Sequence, residues 1–203
     1  LPGPKITAYQ EALEAFLSKT PEEITIPSGA QYFEGEEIFT LTYCGNKFQI
    51  ERKSGKITPL NNSFYINNND ETLILQYLTQ SSGLPPRGNW ISFLQLPFGE
   101  LHHAPFQKDA IYPLAQTFGN DEEGFLAAGR RFGGESLKMG DYAFVIPAFP
   151  KIPLAVALWL ADDEFPAKAN ILFDETAALH LSTAALWVLG VELAEKMMRT
   201  TKE

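Results

Sequence analysis

Cysteine is almost missing from this sequence. One residue, Cys44, among 203 excludes an intramolecular disulfide. It equally excludes a zinc or iron–sulfur site built from several thiolates of one chain. Basic residues are scarce as well. Sixteen Lys and Arg stand against 25 Asp and Glu, a formal net charge of −9, and the only adjacent basic pairs are Arg52-Lys53 and Arg130-Arg131. That balance argues against a nucleic-acid partner, which needs clustered cations for phosphate. Long hydrophobic runs are missing too. The longest apolar stretch, 143–161, is broken by Pro147, Pro150, Lys151 and Pro153, so it reads as two buried strands and not as a membrane span. No Walker or dinucleotide fingerprint occurs, and Gly134-Glu135-Ser136 lacks the glycine that would complete a nucleophile elbow. The shortage of thiols fits a cytoplasmic protein. No secretory leader is visible, although the chain opens on Leu1 and a trimmed N-terminus stays open.

What is present is core material. Apolar residues make up 45%, including fifteen Phe, seven Tyr and three Trp, against 20% charged. A chain of this length buries about 70% of its unfolded surface without staples. No repeat or linker divides it, so residues 1–203 are read as one domain.

The pattern predicts an α+β fold with a mainly antiparallel sheet. Ile6, Tyr9, Leu13, Phe16 and Leu17 give a helix over 5–19, and Thr20-Pro21-Glu22-Glu23 opens a short second one. Residues 36–60 alternate as a β-meander with turns at Gly45-Asn46 and Ser54-Gly55. A polar loop (61–70) precedes a helix over 71–80, and 90–96 reads as a strand. Residues 109–118 and 121–132 form a central αα-hairpin, with Pro113 able to delay its first helix and Gly119 as a left-handed stop between the two. Strands follow at 141–148, 154–160 and 169–173, then a C-terminal helix over 182–198.

Several blocks carry a resemblance. They are Ile152-Pro153-Leu154 through Trp159, then 162–167, Ile171-Leu172-Phe173-Asp174, Phe132-Gly133-Gly134 before Gly140-Asp141, Gly88 to Phe93, and the two meander turns. Together, over roughly residues 24–190, the chain resembles the prokaryotic domain of unknown function 3786 family. The resemblance implies a setting in anaerobic bacteria and archaea and brings no reaction with it. Some members carry an added cysteine-rich iron–sulfur segment, which this sequence lacks. An acidic residue is also expected after Leu181-Ser182-Thr183, where this chain has Ala184-Ala185, so a role resting on a carboxylate there does not carry over.

The leading site candidates are Asp162, Asp163 and Glu164 with Asp174, and Trp159 at the end of the aromatic, proline-rich stretch. Gathered by the fold, such carboxylates suit a hard cation such as Mg²⁺ or acid/base chemistry. The bland alternative is a solvated turn before Phe165-Pro166, with Asp174 capping the next helix. Glu100, His102 and His103 invite a metal, but in an extended segment His103 faces away and His180 is distant in sequence. Arg130, Arg131, Gly133 and Gly134 would have to cradle an anion at a helix C-terminus, against the usual polarity. Cys44 has no base indicated beside it. No metal or cofactor is named by the sequence. The favoured reading is a cytoplasmic, non-catalytic accessory or ligand-binding domain whose small-molecule or protein partner is unknown. An enzyme using Asp162, Asp163, Glu164 and Asp174 is one alternative; a module for oligomerisation or partner binding on the proline and aromatic strands is the other.

Overall fold

The structure, a computed structural model, describes residues 6–61 and 64–202. Lys5, at the start of the expected first helix, and Asn62 and Ser63, in the polar loop, lie outside them.

Each early helix begins where a side chain can satisfy free backbone N–H groups. Thr7 caps α1 (Ala8–Ser18), Thr20 caps α2 (Pro21–Ser28), and Asn67 caps α3 (Asn68–Gln80), all with reciprocal capping boxes. Between α2 and α3 runs a four-stranded antiparallel meander: β1 (Gln31–Phe33), β2 (Ile38–Tyr43), β3 (Asn46–Glu51) and β4 (Ile57–Pro59). The β2–β3 turn is Cys44-Gly45, one residue earlier than the sequence suggests. Both have positive φ, 45° and 71°, as a two-residue hairpin of this hand requires.

The second sheet is also antiparallel, in the order β5 (Trp90–Ile91), β9 (Lys168–Asp174), β8 (Ile152–Trp159), β7 (Tyr142–Phe149), β6 (Glu135–Ser136). The strand expected over 90–96 stops at Ile91 because Ser92 and Gln95 box a 3₁₀ turn. Between β5 and β6 lies the helical pair. Its first helix starts earlier than expected: α4 (His103–Phe106) passes through a π-helical turn, Gln107–Ile111, into α5 (Tyr112–Phe118). Pro113 has no N–H for the ladder and clashes with the carbonyl four residues back, which the wider turn relieves. After α6 (Glu122–Arg131) and the second sheet, α7 (Thr183–Arg199) closes the chain. Gly119 corrects the expectation of a left-handed stop, with φ −59° and ψ −19°. Glycine is needed there for space, since a Cβ would collide with Ala167 and the Ala115 carbonyl.

The two sheets meet at the β2–β3 tip. Cys44 N–H donates to Ala148 O at 3.0 Å and Gly45 N–H to Pro147 O at 3.3 Å, and a Cβ on Gly45 would strike the Phe132 carbonyl. One cluster of buried apolar residues runs through both sheets and the helices. At its centre Tyr77 stacks on Phe149 at 4.2 Å, and the Tyr77 hydroxyl donates to Ser28 O and accepts from Lys151 N–H. In the second sheet Phe144, Val156 and Ile171 stand in register on the core side. Ala143, Ala157 and Asn170 stand in register on the other. Among the described residues no helix is long and apolar enough to cross a membrane.

Candidate functional site

β8 ends at Trp159, and its cross-strand partner Lys168 begins β9. Side chains of paired residues share a face, so Trp159, Lys168 and Asn170 rise from the side of the sheet away from the core. The connection over 160–167 is shaped by two carboxylates. Asp141 Oδ2 accepts from Leu160 N–H at 2.8 Å. Asp162 Oδ1 accepts from the Glu164 and Phe165 amides at 2.8 and 2.7 Å, and Asp162 N–H donates to Phe165 O. Under Trp159 lies Gly140, at φ +59°; a Cβ there would stand 3.1 Å from the indole and 2.6 Å from Leu158 O. The indole therefore rests on bare backbone and stays 37% exposed. Asp141, Trp159, Asp162, Lys168 and Asn170, with Phe165 and Pro166, wall a cleft of about 550 Å³. Lys168 Nζ lies 6.0 Å from the Phe165 ring centroid, within cation–π range.

The structure does not bring the four candidate carboxylates together. Asp162 lines the cleft, while Asp163 and Glu164 are exposed on the turn outside its lining. Asp174 ends β9, about 20 Å away by strand rise, and it is buried. Its role differs from the expected helix cap. It accepts from the Arg87, Gly88 and Thr176 amides and from Thr176 Oγ1, tying residues 87–89 to the sheet. Burial by itself would raise its pKa. The Thr176 hydroxyl and the backbone donors more than offset this and hold the carboxyl below its ordinary value.

The other candidates are dispersed. Glu100 lies in a 3₁₀ turn and His103 in α4, so the expected extended segment is absent. His102 stacks on Trp187 at 5.2 Å, His103 lies beside Gln107, and His180 is buried with Nδ1 3.0 Å from Ser81 Oγ. Among the described residues, no three His, Cys, Asp or Glu side chains are grouped to hold one metal ion. The Gly133 and Gly134 amides bond to Arg130 O and Gly129 O, which ends α6 and leaves neither amide for an anion. Burial pushes the Cys44 thiol up to about 12, so it stays protonated and unreactive at neutral pH.

Sequence reasoning missed a buried charged knot. Lys196 Nζ bonds both Asp70 oxygens at 2.6 and 2.8 Å and Glu192 Oε2 at 3.2 Å. Tyr43 Oη donates to Asp70 Oδ1, while the Asn67 and Asn69 amides donate to Glu192. Burial works against the Lys196 ammonium, but Asp70 more than offsets it and the pKa lies above the ordinary value. The signal in the sequence was Glu192 and Lys196 four apart beside the buried stripe of α7. Every strong donor here has a protein partner, and the knot joins α3, α7 and β2.

The model of the family described as Domain of unknown function (DUF3786) matches residues 20–196. The chain belongs to the DUF3786 family. No curated protein and no solved structure matches it. The matched span takes in the whole second sheet, so the Trp159 cleft, its two shaping carboxylates and the Asp174 clamp all lie inside the DUF3786 domain.

Proposed function

We propose that this chain is a non-catalytic, single-domain accessory protein that binds a small organic molecule in the Trp159 cleft. The observation that carries this is an indole packed against Gly140 as a wall of a cleft of about 550 Å³. Ligand pockets of that size combine apolar walls with a few fixed polar groups, which Lys168, Asn170 and Asp162 supply. Two shaping carboxylates bonded to backbone amides, and a cleft lining without Ser, Thr, Cys or His, favour binding over chemistry. A lone, buried, reduced Cys44 supports a cytoplasmic setting, and the acidic balance supports a partner other than nucleic acid.

The test is a fragment screen by ligand-observed NMR, followed by the indole N–H signal assigned to Trp159. Hits should shift that signal and lose binding in Trp159→Ala. Hits that all survive the substitution would refute the cleft. Titration with Mg²⁺ and Mn²⁺ tests the enzyme alternative. The melting temperature should not move; a rise in wild type that vanishes in Asp162→Asn would reinstate a cation site there.

A second reading, self-association, is favoured by the outward face of the second sheet. There Val145 and Leu172, both half-buried, flank the buried Ala155 in one register row, where a water-facing antiparallel sheet is usually polar. Sedimentation equilibrium reads it directly: a concentration-dependent dimer abolished by Val145→Lys supports it, and a monomer throughout removes it.

A further inference from the structure

The Trp159 cleft holds charge of both signs that the protein leaves unpaired. Asp141, Asp162 and Lys168 all line it, yet none of the three takes part in an ion pair among the described residues. Each carboxylate uses one oxygen on backbone amides, Oδ2 of Asp141 and Oδ1 of Asp162, and keeps the other. Lys168 makes no hydrogen bond or ion pair through its ammonium among the described residues, and its Nζ lies 6.0 Å from the Phe165 ring centroid. Asn170 lines the same cleft with a side-chain amide that makes no hydrogen bond among the described residues.

Taking the cleft as a ligand site, on the reading given above, this arrangement restricts what fits. A purely cationic ligand meets Lys168, and a purely anionic one meets two carboxylates; like charges brought together without screening cost affinity. A ligand carrying both signs meets neither penalty, and each of its charges finds a partner with free hydrogen-bonding capacity. Trp159, Phe165 and Pro166 add an apolar wall for the rest of the molecule. We propose that the cleft binds a zwitterion of the α-amino acid type with an apolar or aromatic side chain. Its carboxylate pairs with Lys168, its ammonium with the free oxygens of Asp141 and Asp162, and its side chain lies against the Trp159 indole.

The experiment is isothermal titration of the full chain with each of the twenty L-amino acids. The best binder is then compared with its decarboxylated amine and its deaminated acid; for phenylalanine these are phenethylamine and 3-phenylpropionate. An apolar or aromatic amino acid should bind, and each analogue should bind at least about tenfold more weakly, the loss of one charge-assisted contact. Lys168→Met should abolish the preference for the amino acid over its amine. Asp141→Asn with Asp162→Asn retains the acceptors for the backbone amides and should abolish the preference over the deaminated acid. Failure of all twenty amino acids to bind overturns the proposal, as does an analogue that binds equally well. An analogue that binds without this preference, yet loses binding in Trp159→Ala, sinks the zwitterion and leaves the ligand cleft standing. If fragments ignore Trp159 altogether, both fall. The comparison of ligands on wild type needs no variant to fold.

Discussion

Two groups of charged side chains in this protein treat charge in opposite ways. In the knot of Asp70, Glu192 and Lys196 the charges are buried and answered within 3.2 Å, with Tyr43, Asn67 and Asn69 filling the remaining sites. At the Trp159 cleft, Asp141, Asp162 and Lys168 sit at the surface with no ion pair among the described residues. The first arrangement is what low dielectric demands, because a charge removed from water must be answered by the protein. The second is tolerable only because water, or a ligand, is within reach. Burial of charge thus marks structure here, and unanswered charge beside an aromatic wall marks the candidate site.

The contrast is tested most severely by removing the cation of the knot. Lys196→Met strands two buried carboxylates and should cost about 3–5 kcal/mol in urea denaturation. A loss below about 1 kcal/mol would mean the knot is solvated, and the comparison would collapse. Asp174 sharpens the contrast as a lone buried carboxylate answered by backbone dipoles. Asp174→Asn should cost about 1.5–3 kcal/mol, the range for hydrogen bonds to a charged group, and should expose the 87–89 segment to faster amide exchange.

A third, smaller effect comes from His180. Burial, with Lys151 nearby, lowers its pKa below the ordinary 6.5. Its Nε2 is buried without a hydrogen-bond partner within 3.5 Å among the described residues, while Ser82 N–H donates to Nδ1. Above pH 6.5 the ring is neutral in folded and unfolded chains alike, and the fold loses nothing. As pH falls from 6.5 towards the lowered folded value, the unfolded chain takes up the proton first, so stability declines across that window. Melts between pH 8 and 5 should show the decline in wild type and less of it in His180→Gln. A second decline begins as pH falls through the ordinary 3.8 of Asp174, whose folded pKa is lower still. The smallest effects belong to the cleft: Asp162→Asn and Lys168→Ala should each change stability by less than about 0.5 kcal/mol without ligand. A larger loss from Lys168→Ala would show that the cleft, too, is internally paired.

Much of the fold is legible because local rules decide it. The capping boxes at Thr20 and the alternation of Phe39, Leu41, Phe48 and Ile50 need no tertiary information. Where the sequence misleads, a long-range contact overrides a local signal. Gly119 looks like a helix stop, but it is small because Ala167 arrives from 48 residues away. Asp174 looks like a cap, but Arg87 and Gly88 claim it. The cleft was half visible: Trp159 and Asp162 were named, whereas Asp141, Lys168 and Asn170 join them only through strand register. The knot was invisible because Asp70 and Lys196 are 126 residues apart.

The joint between the two sheets gives the molecule a clock of its own. Cys44 is fully buried at the hairpin tip that donates to Ala148, and it is the only thiol in the chain. A thiol-reactive dye can therefore label the native protein only when that joint opens. With dye in excess the labelling rate counts those openings. Disruption of the knot should hasten it, because Tyr43, the residue before Cys44, is bonded to Asp70. Ligand in the Trp159 cleft, at the other end of β8 from that joint, should leave it unchanged unless the sheet opens as one unit.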